Sequence, residues 1–398
     1  MTRRLIVCWG VFAVLAALPV LSASASGPTA HAKRVCTLST SPAYASCMAW
    51  VKMDAQGHVL VDPAIPSGLS PAKFHSAYNL PTLATGHHKI AIVDAYNDPH
   101  IYADVRHYVE TFGLPRFRKC TFSAQTNCFL VLNQSGKTSP LPANSPDWST
   151  EIALDVEVAH AICQNCRIEL IEASTNSFAN LKKAVNTAFN RGAEVISNSY
   201  GAYGSDCTGL GAYNHAQVAI TVSAGDLGYG VACPAVLNTV ISVGGTTLNL
   251  NGDGSYNSES VWSGTGSGCS GTNSAQPFQS AVANWSTIAC GGRGMNDVSA
   301  DADPNTGAAV YDSFGYGGWV QVGGTSLSAP IVGAVYALAG NASSWSYPAQ
   351  SVYDAPGSLH DVTTGNNGFC SGASLSCDAG TGFDLPTGIG TPNGLGGF

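Results

Sequence analysis

The segment Gly323-Gly324-Thr325-Ser326-Leu327-Ser328-Ala329-Pro330 joins a glycine pair to a serine, and an apolar run over 331–339 leads on to Gly340. A tight turn followed by a helix puts Ser326 at the helix N-terminus. Unpaired N–H groups and the macrodipole there favour developing negative charge. A serine so placed can attack a carbonyl once a base lies within reach. Serine also caps helices with no chemistry attached, so the motif needs a partner.

Histidine is the usual partner of a nucleophilic serine. The ten histidines are scattered and none sits in a His-Gly-Thr-His context; His87 and His88 read as loop residues before the first core strand. Carboxylates offer another base. Glu151 and Asp155 are four residues apart, which sets them on one helix face one turn from each other. Two acids so close repel when both are ionised and tend to share a proton. On an exposed face they would be only an acidic stripe that offsets the helix dipole. Asp226, in Ser223-Ala224-Gly225-Asp226-Leu227-Gly228, directly follows an apolar strand, and chemistry collects in such loops of a parallel sheet. Gly-Asp is ordinarily a turn, yet a protonated aspartic acid can donate a hydrogen bond to an oxyanion.

The elements that would position these groups begin at residue 89. Apolar strands are expected at 89–94, 167–171, 194–197, 219–223 and 240–243. Helical spacing is expected over 101–112, 181–188 and 212–218. Alternating apolar strands and helices imply an α/β fold, a parallel sheet flanked by helices on both faces. Residues 251–280, rich in Gly and Ser, read as surface loops.

Residues 1–25 read as a secretory signal peptide. Arg3 and Arg4 precede an apolar run over 5–21, and Ala23-Ser24-Ala25 offers a small-residue cleavage site. A membrane anchor is the rival reading of that run. Cleavage would remove Cys8 and leave twelve of thirteen cysteines, as the close neighbours Cys36/Cys47, Cys120/Cys128, Cys163/Cys166, Cys207/Cys233, Cys269/Cys290 and Cys370/Cys377. An even count in an exported chain favours disulfides, although spacing leaves the connectivity open. Residues 26–85 read as a short N-terminal extension or propeptide, and 86–398 as one large domain. Charged residues are 11% of the chain, against about 25% in ordinary soluble proteins. So few basic groups would accumulate little charge in acid, which points to an acidic workplace. A net charge of −8 without basic clusters argues against nucleic-acid binding.

Taken in order, Glu-x-x-x-Asp, Ala-Gly-Asp and Gly-Thr-Ser-x-x-x-Pro resemble the pattern of the sedolisins, serine-carboxyl peptidases with a subtilisin-like fold. Glu151 and Asp155, Asp226, and Ser326 with Pro330 meet that pattern. Further matches are Ile92-Val93-Asp94-Ala95-Tyr96, Phe112-Gly113-Leu114-Pro115, Val195-Ile196-Ser197-Asn198-Ser199-Tyr200-Gly201 and Val243-Gly244-Gly245-Thr246. The likeness runs from about residue 70 to the C-terminus. It implies a secreted, acid-acting peptidase on protein or peptide substrates, free of the membrane once the signal is cleaved, and monomeric. Ser326 would be the nucleophile, Glu151 the base, Asp155 its proton-sharing partner and Asp226 the oxyanion donor.

Asp361-Val362 and Gly380-Thr381-Gly382-Phe383-Asp384 look like the family's calcium loop. The resemblance implies that the carboxylates of Asp361 and Asp384, with the carbonyls of Val362, Gly380 and Gly382, hold one structural calcium ion. Sedolisins are often made behind a large folded prosegment, and only about sixty residues here separate the cleavage site from the first core strand. How latency is kept is left open. Two rival readings remain: a catalytically silent secreted binding scaffold of the same fold, and a neutral-pH peptidase using one of the scattered histidines.

Overall fold

The computed structural model describes residues 31–121, 126–204, 206–370 and 374–398; the expected signal peptide over 1–25 and Cys8 lie outside the described residues. Three short strands, β1 (Ala32–Arg34), β2 (Ser46–Cys47) and β3 (Trp50–Lys52), precede α1 (Pro71–Ala77). The first expected core strand is β4 (Lys89–Ala95). The apolar spacing after it forms α2 (Ile101–Phe112), which Gly113 closes at φ 64°. Then come β5 (Arg118–Lys119), β6 (Cys128–Asn133), α3 (Pro146–Ile162), β7 (Arg167–Ala173), α4 (Phe178–Asn190), β8 (Val195–Asn198) and β9 (Tyr200–Tyr203). They are followed by β10 (Ala219–Ser223), β11 (Ala232–Cys233), β12 (Ile241–Leu250), β13 (Tyr256–Val261) and β14 (Gly268–Cys269). Beyond α5 (Pro277–Ser280), α6 (Trp285–Ile288) and β15 (Gly294–Met295), the chain passes through β16 (Val298–Asp301), β17 (Ala308–Asp312) and β18 (Gly318–Gly323) into α7 (Thr325–Ala339).

The central sheet runs β5-β6-β7-β4-β8-β10-β12-β13, with β16 also paired to β12. Its pairings are parallel except that of β13 with β12. Strands covered on both faces are mostly apolar; β7 is buried throughout although it carries Arg167, Glu169 and Glu172, the first two of them ion-paired. Helices α3 and α7 pack together on one face, and α4 lies against β4 and β7 from the other. This is the subtilisin-like α/β architecture that the sequence pattern led us to expect.

Two local expectations fail. The helix expected over 212–218 shrinks to a single turn at Gly211–Tyr213, and Gln217 at φ 66° breaks any continuation. Residues 251–280 are not loops alone. They contain β13, an edge strand whose Ser, Asn and Glu positions hid its alternation. All six close cysteine pairs are bonded to each other.

The stretch before residue 86 is stitched into the domain. Strands β1 and β3 join β18 and β17 in an antiparallel sheet ordered β1-β3-β18-β17, and β2 pairs with β9. Residues from that stretch therefore lie beside the strand that delivers Ser326.

Candidate active site

Helix α3 begins where Pro146 follows Ser145, whose hydroxyl accepts from the Trp148 N–H. Residues 148–162 are all buried, because α7, β17 and the central sheet close around the helix. Glu151 and Asp155 are each 0% exposed, which overturns the acidic-stripe reading.

Ser326 is the second residue of α7, after Gly324 at φ 92°. Its hydroxyl lies 2.9 Å from Glu151 Oε2 and 3.0 Å from the Ser199 carbonyl. The first contact has the geometry that a nucleophile and its base would need. Pro330, four residues on, has no N–H to give the Ser326 carbonyl, and that carbonyl accepts from Ser199 Oγ at 3.4 Å instead. Ser199 Oγ also faces Asp155 Oδ1 at 2.9 Å. Ser199 thus touches both the nucleophile's backbone and the acid pair.

Burial, then the neighbouring charges of Asp155 and Asp94, holds Glu151 well above the usual carboxylate range. Burial, then Asp94, does the same to Asp155. Glu151 Oε1 and Asp155 Oδ2 have no other partner among the described residues, the arrangement expected when one proton sits between two acids. Asp94, next to last in β4, is fully buried with both oxygens unpartnered; burial pushes it up to about 8.

Asp226 follows β10, as expected. Its Oδ1 accepts from the Thr325 N–H at 2.9 Å and from Thr325 Oγ1 at 2.6 Å, while Oδ2 is unpartnered. Burial pushes Asp226 up to about 6, against the pull of Arg34 and of the Thr325 bonds. A protonated Oδ2 would be a donor beside the Ser326 N–H, and a Cβ on Gly324 would stand 2.9 Å from that oxygen.

The three acids and the serine read from the sequence therefore meet at one place. Sequence reasoning missed Ser199, which lay inside a quoted motif without a role, and gave none to Asp94. The signal for Asp94 was a charge directly after the apolar run from Ile90 to Val93. It also missed the cover: Ser326 is 0% and Asp226 2% exposed, because residues 46–50 cross over them. Among the described residues no histidine bonds to Ser326. His88, for example, pairs with Glu194 at 2.6 Å.

At the expected calcium loop, Asp384 is buried and Asp361 lies near enough to raise its pKa, burial being the larger cause and pushing it to about 7. Gly380 N–H bonds Asp384 Oδ2, and Gly382 N–H bonds Asp361 Oδ2, each at 2.9 Å. Two acids gathered by a glycine loop, with oxygen donors only, fit a hard cation. A second acidic group, Asp98, Asp104 and Asp312, has oxygens within 4.8 Å of one another. Asp312 there already accepts from Ser149, Thr150 and the N–H groups of Phe314 and Gly315.

The sequence pattern of the subtilase family matches residues 149–363, more than half of the chain. The chain belongs to that family. Within it, the similarities are to the sedolisins, and the chain is a member of that group. It is 29% identical over 366 residues to sedolisin of Pseudomonas sp. (strain 101), covering 81% of this chain and 60% of that protein. It is 28% identical over 368 residues to kumamolisin of Bacillus sp. (strain MN-32), covering 83% and 63%. The chain thus spans less than two thirds of the length of these relatives. The solved structure of Pseudomonas sedolisin, a serine-carboxyl proteinase complexed with two molecules of pseudo-iodotyrostatin, superposes with a TM-score of 0.67 at 27% identity. That match covers 83% of this chain and 96% of that one.

Proposed function

We propose that this chain is a serine-carboxyl peptidase that hydrolyses peptide bonds in acid, outside the cell. The observation that carries the reading is the 2.9 Å contact between Ser326 Oγ and Glu151 Oε2, with Asp155 behind it and Asp226 beside the Ser326 N–H. Ser326 attacks the scissile carbonyl and Glu151 takes its proton. Asp155 shares a proton with Glu151, and Ser199 fixes Asp155 in place. Asp226, protonated, donates to the tetrahedral oxyanion together with the Ser326 N–H. Glu151 then returns the proton to the leaving amine, and water resolves the acyl-enzyme by the same route.

Six disulfides favour an oxidising, extracellular setting, and residues 1–25 are proposed to be the export signal. Asp361, Asp384 and the carbonyls of Val362, Gly380 and Gly382 would hold one calcium ion, which would tie the C-terminal loop to the core. Protein or peptide substrates are proposed, and a monomer. The test is digestion of a denatured protein at pH 4 and at pH 8 by the wild type and by Ser326→Ala. Digestion confined to acid and lost in the variant supports the reading. No hydrolysis at either pH would leave a silent scaffold, and hydrolysis at pH 8 alone would point to a histidine.

A further inference from the structure

Four buried acids gather where the loop after β4 meets α2, α3 and the end of β17. Asp98 lies in that loop, Asp104 in the first turn of α2, Glu157 on α3 and Asp312 at the last position of β17. None is more than 1% exposed. One carboxylate oxygen each from Asp98, Asp104 and Asp312 lies within 4.8 Å of the others. Among the described residues no Lys, Arg or His forms an ion pair with any of the four.

The neighbours orient these carboxyls without neutralising them. The His100 N–H donates to Asp98 Oδ1 at 2.8 Å. Ser313 gives its N–H to Asp104 Oδ2 at 2.9 Å and its hydroxyl to Oδ1 at 2.7 Å. Asp312 accepts from the Gly315 N–H at 2.7 Å and from Thr150 Oγ1 at 2.5 Å, and Glu157 Oε2 accepts from the Tyr311 N–H at 2.9 Å. Neutral donors of this kind stand behind the ligands of a metal ion and fix their direction.

Two oxygens are left over. Asp98 Oδ2 and Glu157 Oε1 are buried and have no hydrogen-bond partner among the described residues. A proton on either would be a buried donor with no acceptor in reach, so protonation alone does not satisfy them. Burial above all, and the charges of Asp104, Asp312 and Asp98, hold Glu157 well above the usual carboxylate range, against the pull of the Tyr311 bond. The same three acids that surround the open space therefore act on the fourth. Oxygens around calcium, each about 2.3–2.6 Å from it, stand at most about 5 Å apart, and the three carboxylates meet that limit. His100 and Gly315, exposed at the edge of the group, leave a way in from solvent.

We propose that Asp98, Asp104 and Asp312, with Glu157 beside them, form a second cation site that takes calcium, separate from the C-terminal loop. It does not depend on Ser326 being a nucleophile. Burial, then Asp104 and Asp312, pushes Asp98 up to about 7, so near neutral pH the ion must displace protons. Binding is then weak, on the order of millimolar, as in extracellular calcium modules. Through Asp312 the ion would steady Ser149 and Thr150, and the next residue of α3 is Glu151.

The whole chain is prepared at pH 7.5 without added calcium, where only the tighter C-terminal loop stays filled. Calcium chloride at about 10 mM should then raise the melting temperature by roughly 3 °C, and sodium chloride of equal ionic strength should not. The rise should persist in Asp361→Ala, which separates this site from the loop. It should vanish at pH 4, where protons hold the carboxyls. Asp98→Asn keeps an acceptor for the His100 N–H and should abolish the rise. Glu157→Gln keeps an acceptor for the Tyr311 N–H and should need about tenfold more calcium for the same rise, so either variant serves if the other does not fold. No rise in the wild type, a rise absent from folded Asp361→Ala, one that persists at pH 4, or one untouched by the acid variants overturns the inference. Each of these results leaves the peptidase reading where it stands.

Discussion

Asp94 and Glu172 stand in register on the neighbouring parallel strands β4 and β7, with both carboxyls inside the protein. Burial raises Asp94 to about 8 and Glu172 to about 9, and it raises Asp98 and Glu259 to about 7. Each folded value lies above the unfolded one, so the folded chain binds more protons than the unfolded chain across that interval. The stability these groups confer is complete below about pH 4 and is lost as pH climbs through about 7 to 9. The melting temperature should therefore be higher at pH 5 than at pH 9, by roughly 5 °C or more. Glu172→Gln should flatten the slope. A melting temperature that is level or rising toward pH 9 would show these acids to be compensated.

The rate should fall as pH rises through about 6, where Asp226 loses the proton it needs to donate. Asp226→Asn keeps a donor of similar shape with no proton to lose. It should flatten this upper limb while costing about a hundredfold in kcat. A limb unchanged in the variant would assign the titration to another group.

Ser326→Ala and Glu151→Gln should each leave a folded protein with kcat reduced about a thousandfold or more, and the double variant should be little worse than either. Independent losses that multiplied would separate the serine from the acid.

On the proposed mechanism Ser199 is a positioning residue. Ser199→Ala removes the bond to Asp155 Oδ1 and should cost roughly tenfold in kcat with KM little changed, and shift the acid limb of the pH profile. Ser199→Thr, which restores the hydroxyl, should recover part of the rate. An altered melting temperature with an unchanged pH profile would make the bond merely structural.

A calcium chelator near neutral pH should lower the melting temperature by several degrees (about 1–3 kcal/mol of lost ligand stabilisation). Asp361→Ala should remove that sensitivity. Elemental analysis without calcium, together with unchanged melting in chelator, would reduce the loop to an ordinary turn.

Much of this was legible in the sequence, for a physical reason. Buried strands such as β4 and β10 carry runs of apolar residues, so their positions show. Ser326, Glu151, Asp155 and Asp226 are fixed by backbone features, a glycine turn, one helical turn and a strand end, that leave local signatures. The hairpin from Ala32 to Lys52 left none. Its strands are two or three residues long, too short for a period, and its partners lie more than a hundred residues away. The charge of Asp94 after an apolar run was visible, but its role was not, since it arises from Asp155 on another element.

The six disulfides span separations of only 3 to 26 residues. Such short closures do little to lash distant parts of the fold together, but on the proposed function they have a use for a molecule surrounded by copies of itself that cut proteins. Loops are where a chain is nicked first. A nick inside the loop closed by Cys207–Cys233 or by Cys269–Cys290 leaves both new ends attached to the body. The molecule can take such a wound without shedding a fragment. Each clip thus extends its working life in the company of its own kind.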